Sequence, residues 1–226
     1  MIKKDHHKLD NPVWYSLAET HQQFSVDYNI AKFYHPDYCP FGGFEATEKI
    51  ANQIDEYSTL VDNFYVVGNK PQLSDRLVLN KELICLQMIV YNKIDIEIKE
   101  DITLLTQEHA DTLFQLVNLV QPGYFKIKTA LLGNYYGIFK NGQLVAAAGE
   151  RMKMSDYTEI SAIVTHPDYT GLGYAKQLIA RTVNNIFDQN RIPYLHVVES
   201  NVGAINLYEK LGFTTRRNIS FWNITK

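Results

Sequence analysis

Apolar and polar side chains are patterned most regularly in the second half of the chain. YYGIFK and QLVAAAGERMKM, beginning at Tyr135 and Gln143, are strand-like runs joined at Asn141-Gly142, a dipeptide that supplies the positive φ angles of a two-residue hairpin turn. YTEISAIVTHP predicts a third strand from Tyr157 to Thr165, stopped by Pro167, which has no N–H for a ladder. In YAKQLIARTVNNIFDQN the apolar side chains Ala175, Leu178, Ile179, Val183, Ile186 and Phe187 recur at three-four spacing and predict an amphipathic helix. YLHVVES, after Pro193, predicts a strand. Asn201 caps a short helix, VGAINLYEKL, which Gly212 ends in the left-handed conformation, and FTTRRNISFWNITK alternates as a final strand.

Upstream of the hairpin, Thr106, Glu108 and Asp111 open a helix whose apolar face includes Leu113, Leu116, Val117 and Val120, and a second helical stretch follows. The order from about residue 100 is then helix, helix, three antiparallel strands, helix, strand, helix, strand. That order predicts an α+β fold, a mixed and largely antiparallel sheet flanked by helices. The first part of the chain is less regular. SVDYNIAKFY and NFYVVGN suit strands, EATEKIANQIDEYSTLV a helix, KELICLQMIV a buried strand or helix, and KIDIEIKE a strand leading into the next domain. The expected division is an α/β region over 1–98 and a second domain over 99–226.

His-Pro-Asp-Tyr occurs twice, at His35 and at His166. Strand, loop, helix, strand is the predicted order around both copies, which suggests a degenerate duplicated half-domain; a chance match of four letters is the competing explanation. The two copies continue differently. Thr170-Gly171-Leu172-Gly173-Tyr174 leads into a helix, whereas Cys39-Pro40-Phe41-Gly42-Gly43-Phe44 lacks a donor at Pro40 and adds bulk at Phe41 and Phe44.

Composition narrows the function classes. The chain has 226 residues, 46% hydrophobic and 21% charged, as in ordinary soluble globular proteins. A formal charge of −3 argues against a broad polyanion-binding surface, so no nucleic-acid partner is expected. MIKKDHHKLDNPVW lacks the apolar core of a secretory signal and no apolar run is long enough to cross a bilayer, so a cytoplasmic protein without a membrane partner is expected. Cys39 and Cys85 form no disulfide framework. His6, His7, His35 and Cys39 carry no CxxC or HExxH spacing, so no metal site is expected. The first hundred residues, with WY, FY and DYCPFGGF, are too aromatic for a linker and suit half of an acceptor pocket or the surface of a homodimer.

The stretch THPDYTGLGYAK carries the strongest chemistry. A strand stops at Pro167, the chain passes through Gly171 and Gly173, and a helix starts near Tyr174. This presents several backbone N–H groups at a helix N-terminus, where an anion such as a phosphate is favoured, and the glycines keep side chains out of its way. The turn is neither a P-loop nor a full dinucleotide fingerprint. Taken with LHVVESNVGAINLYEKLGF, it resembles the GNAT superfamily of acyl-CoA-dependent N-acyltransferases, from about residue 100 to the C-terminus. The family's pyrophosphate loop, Arg/Gln-x-x-Gly-x-Gly/Ala, is matched at Thr170-Gly171-Leu172-Gly173-Tyr174-Ala175 except in its first position, where Thr170 replaces a long polar side chain. GERM, TEIS and THP look most like the glycine-N-acyltransferase-like subgroup.

The resemblance implies acetyl-CoA or another acyl-CoA as co-substrate, and direct attack on its thioester by an amine, borne by a small molecule or by a protein N-terminus. Such an amine is mostly protonated at neutral pH, so a base is useful. Glu159, eleven residues before Thr170, has the spacing of the family's catalytic base, with Glu199 as second choice. A working base should show a pKa raised by burial. Tyr208 matches the tyrosine that protonates the leaving thiolate. Backbone groups of Ile163, Val164 and Thr165 are expected to pair with the pantetheine arm as an added strand would, and Asn201 to meet it with its amide while capping its helix. His166 is expected to order the loop, and Arg151 is a candidate for a substrate carboxylate. The competing reading is an acyl-CoA-binding module without turnover.

Overall fold

A computed structural model describes residues 6–45 and 50–226. The chain up to Cys85 and the segment Asn218–Lys226 form one compact unit, and Leu86–Arg217 form another. In the first, Pro12 opens α1 (Pro12–Ala18), and β1 (Ser25–Asp27) turns into β2 (Ala31–Tyr34) through Asn29 at φ 63°. SVDYNIAKFY is thus two short antiparallel strands, where one was expected. β3 (Phe41–Phe44) pairs antiparallel with β2 and parallel with β4 (Asn63–Val67), with α2 (Ala51–Ser58) in the crossover between β3 and β4. The helix predicted over EATEKIANQIDEYSTLV survives as α2; its residues 46–49 lie outside the described residues. The strand order is β1-β2-β3-β4-β11, with β11 (Thr214–Thr225) antiparallel to β4. The core gathers Phe33, Ile54, Tyr57, Phe64, Val66 and Ile224. Phe33 stacks on Tyr57 at 4.1 Å between ring centroids and lies so close to β3 that a Cβ on Gly42 would sit 2.2 Å from its ring.

Both His-Pro-Asp-Tyr segments build the same turn. His35 Nδ1 accepts from the N–H of Asp37 at 3.3 Å and His166 Nδ1 from that of Asp168 at 3.3 Å. The N–H of Tyr38 donates to the carbonyl of His35, and that of Tyr169 to His166, each at 2.9 Å. Their surroundings differ. The upstream turn joins two antiparallel strands, β2 and β3, whereas the downstream one leads from a strand to a helix. The expected strand–loop–helix order around the first copy is therefore corrected: FGGF continues as a strand because it pairs on both sides.

In the second unit the strand order is β11-β5-β10-β9-β8-β7-β6, built from β5 (Val78–Ile89), β6 (Ile102–Leu105), β7 (Tyr135–Lys140), β8 (Gln143–Lys153), β9 (Tyr157–Thr165) and β10 (Ile192–Val198). Asn141 at φ 51° and Gly142 at φ 78° make the β7–β8 turn, as the Asn-Gly dipeptide requires. Helices α3 (Ala110–Val120) and α4 (Tyr174–Asp188) cover opposite faces. Tyr135, Ala147 and Val164 pack with Leu113, Leu116 and Val117 of α3. Tyr136, Ala146 and Ala148 pack with Tyr174 and Leu178 of α4. A short α5 (Val202–Lys210) follows β10 and ends before Gly212 at φ 90°.

Three expectations are corrected here. Val120 is 40% exposed, at the last residue of α3. The second helical stretch is only a 3-10 turn, Thr129–Leu132. KIDIEIKE belongs to no strand. Carboxamides of α4 take the place of a neighbouring strand: Asn184 bonds both the N–H and the carbonyl of Ile94 at 2.9 and 3.0 Å, and Gln177 Oε1 accepts from Lys99 and Glu100 at 2.6 and 3.0 Å. Among the described residues no helix is long and apolar enough to cross a membrane.

Candidate functional site

The glycine turn is held open by its own backbone. Gly171 lies at φ 80° and Gly173 at φ 77°, a region where other residues are strained. A Cβ on Gly171 would meet nothing within 4 Å, so space is not what calls for glycine at that position. Gly173 precedes the first residue of α4, and the N–H groups of Gly171, Leu172 and Gly173 make no bond to the protein among the described residues. With the first N–H groups of α4 they form a donor-rich turn, exposed at Gly171 and Leu172. Thr170 turns its hydroxyl back to the carbonyl of Pro167 at 3.1 Å. Lys176 folds over the turn, its Cε 3.1 Å from where a Gly173 Cβ would stand, and adds a positive charge. These features fit a diphosphate.

Beside this turn, the sheet opens. β9 and β10 pair in parallel from Tyr157 with Ile192 to Glu159 with Tyr194, and no further register joins them. On its other edge β9 stays paired with β8 as far as Thr165 with Ala146. Between Val164 and Ser161 β9 uses three steps where β8 uses two, and the extra residue is absorbed at Ala162 with φ 50°. The edge of β9 that carries Ile163, Val164 and Thr165 is thus left open toward β10, free for an extended ligand with amide groups.

Glu159 stands at the last paired position. It is 1% exposed and is held on both oxygens: Arg151 donates from Nε to Oε2 at 2.7 Å and from Nη2 to Oε1 at 2.8 Å, and His196 Nδ1 lies 2.7 Å from Oε1. Burial alone would raise its pKa, but the Arg151 guanidinium and the His196 ring outweigh burial and hold the carboxyl at about 2. A base with a raised pKa was expected here; the carboxylate is instead neutralised by a fork of donors. The same fork commits Arg151 to Glu159, so its expected role on a substrate carboxylate has no support in the geometry. Its neighbour Glu150 faces α4 and is saturated by Lys153, Asn185, Gln189 and the N–H of Asn134.

Tyr208 lies on α5 with its ring in the core, next to Phe213 at 5.9 Å. No protein group bonds its hydroxyl among the described residues, and burial pushes its pKa up to about 12, so the phenol keeps its proton. Asn201 Oδ1 accepts from the N–H of Ala204 at 3.2 Å, capping α5. Glu199 is exposed in the turn between β10 and α5. Lys176 and His196 escaped the sequence reading. Lys176 was detectable as a cation in the first turn of the loop's helix. His196 was not, because nothing in the pattern of YLHVVES ties its ring to a residue on another strand.

The FR47-like protein family matches residues 135–222, from β7 into β11. No curated protein matches the chain. Among solved structures it is similar to a putative acetyltransferase of the GNAT family from Novosphingobium aromaticivorans, 28% identical over 98% of this chain and 99% of that one, with a TM-score of 0.89. It is also similar to a GCN5-related N-acetyltransferase-like protein from Streptococcus suis, at 17% identity, 96% of each chain and a TM-score of 0.63. A GCN5-related N-acetyltransferase from Kribbella flavida matches at 10% identity, 100% of this chain and 96% of that one, also with a TM-score of 0.63. The last two share the fold. The chain has the GNAT-like fold, and the first similarity includes the residues before 100, beyond the reach of the sequence resemblance.

Proposed function

We propose that the protein moves an acetyl or similarly short acyl group from acyl-CoA to a primary amine by direct attack. The observation that carries this reading is the parting of β9 and β10 just past Glu159, beside the N–H-rich turn at Gly171–Gly173. The diphosphate of CoA would bind the backbone N–H groups from Gly171 to Ala175, with Lys176 supplying charge where Thr170 replaces a longer side chain. The pantetheine amides would add to the open edge of β9 at Ile163, Val164 and Thr165, and Asn201 would meet the arm with its amide. CoA supplies the activated thioester; the chain holds it between two strands.

As the amine nitrogen bonds to the acyl carbon, the C–S bond breaks and the nitrogen gives up a proton. Tyr208, protonated at neutral pH, donates a hydrogen bond to the departing thiolate. A thiol is a stronger acid than this phenol, so the tyrosine stabilises the thiolate and does not surrender its proton outright. Glu159 is proposed as a fixed negative charge near the attacking nitrogen, with the amine's proton leaving to water. Glu199, the second choice from the sequence, is then the candidate for a base in place of water. The acceptor is proposed to be a small amine or a protein N-terminus. The glycine-N-acyltransferase-like assignment rests on GERM, TEIS and THP.

The binding-module reading has one observation behind it, the ion-paired state of Glu159. Both readings meet in one assay, release of free thiol from acetyl-CoA over a panel of amines, with mass spectrometry of the product. Amine-dependent release with an acetylated amine is expected. Tight CoA binding with no release for any amine would leave the binding module standing.

A further inference from the structure

Five polar side chains, one from each of five neighbouring strands, form a single hydrogen-bonded row across the second unit: Arg216 on β11, Gln87 on β5, His196 on β10, Glu159 on β9 and Arg151 on β8. Arg216 Nη1 donates to Gln87 Oε1 at 2.9 Å, Gln87 Nε2 lies 3.1 Å from His196 Nε2, and His196 Nδ1 lies 2.7 Å from Glu159 Oε1. Gln87 is fully buried, His196 has 2% of its side chain exposed and Glu159 1%.

We propose that Arg216 and Gln87 are positioning residues of the proposed transfer site, which fix the neutral ring of His196 as the Nδ1–H tautomer and so aim a donor at Glu159. A guanidinium only donates, so the amide oxygen of Gln87 must face Arg216. The amide NH2 then faces His196 Nε2, which must present a lone pair, and the ring proton of the neutral imidazole is left on Nδ1. Glu159 receives that proton's hydrogen bond on one side and the fork of Arg151 on the other. Its carboxylate is thereby set in one orientation at the point where β9 and β10 part. Neither Arg216 nor Gln87 need touch the substrate.

The inference rests on the proposed transfer function only for its kinetic consequence; the tautomer is readable in a protein that transfers nothing. With 15N-labelled histidine at alkaline pH, where imidazoles are neutral, NMR of the intact protein should show His196 protonated on Nδ1 and bare on Nε2. Gln87→Glu keeps the size and the bond to Arg216 but offers His196 only an acceptor, so a proton should appear on Nε2. Arg216→Met should release the amide and give mixed tautomers, while Arg216→Lys, which still donates, should preserve Nδ1–H. In the transfer assay Gln87→Glu and Arg216→Met should lower kcat about tenfold or more with KM for acetyl-CoA unchanged. A wild-type ring protonated on Nε2, or a tautomer indifferent to Arg216→Met, overturns the proposal. An intact tautomer response with no acetyl transfer sinks the function and spares the row.

Discussion

Glu159→Gln removes the carboxylate from its pair with the largely buried Arg151 guanidinium, and breaking such a pair costs roughly 3 kcal/mol. Urea denaturation at neutral pH should show that loss. The pH dependence follows from the direction of the shift. The folded carboxyl is lowered from 4.5 to about 2, so its stabilisation is complete above the unfolded value and is lost as pH falls through about 2. Wild-type protein should lose stability over that window, and the Gln variant should have a flatter acid limb in the same titration. Tyr208 makes a separate prediction. Its hydroxyl is spared by the fold, so Tyr208→Phe should leave the melting temperature nearly unchanged while kcat falls by about a hundredfold. A Phe variant with wild-type kcat would remove the phenol from the reaction.

At the scale of elements, the turn and the strand split are the two devices that matter. Gly171→Ala meets no atom, so its cost is the left-handed backbone alone, about 1 kcal/mol. A strained turn misaims its N–H groups, and KM for acetyl-CoA should rise several-fold with little change in kcat, measured by steady-state kinetics. The helices of the second unit were legible because one face of each is buried and the other wet, and its strands because they are apolar runs cut by turn signals such as Asn141-Gly142 and Pro167. Tyr157–Thr165 emerged at its observed bounds, and α4 within two residues of the predicted helix end. The failures share a cause. KIDIEIKE alternates like a strand because one side of it rests on α4, but its hydrogen bonds end on Asn184 and Gln177, and period alone cannot say which partner accepts them. The site divided in the same way. The glycine turn is local and could be read; the ionisation of Glu159 depends on Arg151 and His196, which reach it from two other strands.

Over the whole molecule, sequence identity and topology point to different correspondences. The identical tetrapeptides would align β2 with β9, yet the antiparallel-then-parallel succession matches β3–α2–β4 to β9–α4–β10. A duplication, if traced through pairings, is offset by one strand from the letters that suggested it, and the repeated tetrapeptide is a turn used twice. The first unit also needs both ends of the chain. Phe221 to Thr225 pair with Val67 to Asn63, and Ile224 is fully buried. Removing Asn218–Lys226 should expose Phe64 and Val66 and abolish amide protection across β3 and β4, as hydrogen exchange would show; retained protection would mean that β4 is stable as an edge. The row of five side chains has a consequence for how such a chain can change over time. Each member answers the donor or acceptor beside it, so a single replacement at position 87, 151, 159, 196 or 216 that changes donor or acceptor character leaves a mismatch that its neighbours must absorb. These positions, scattered along the chain, should tolerate substitution in concert and resist it singly, and homologues should keep the row entire or replace it entire.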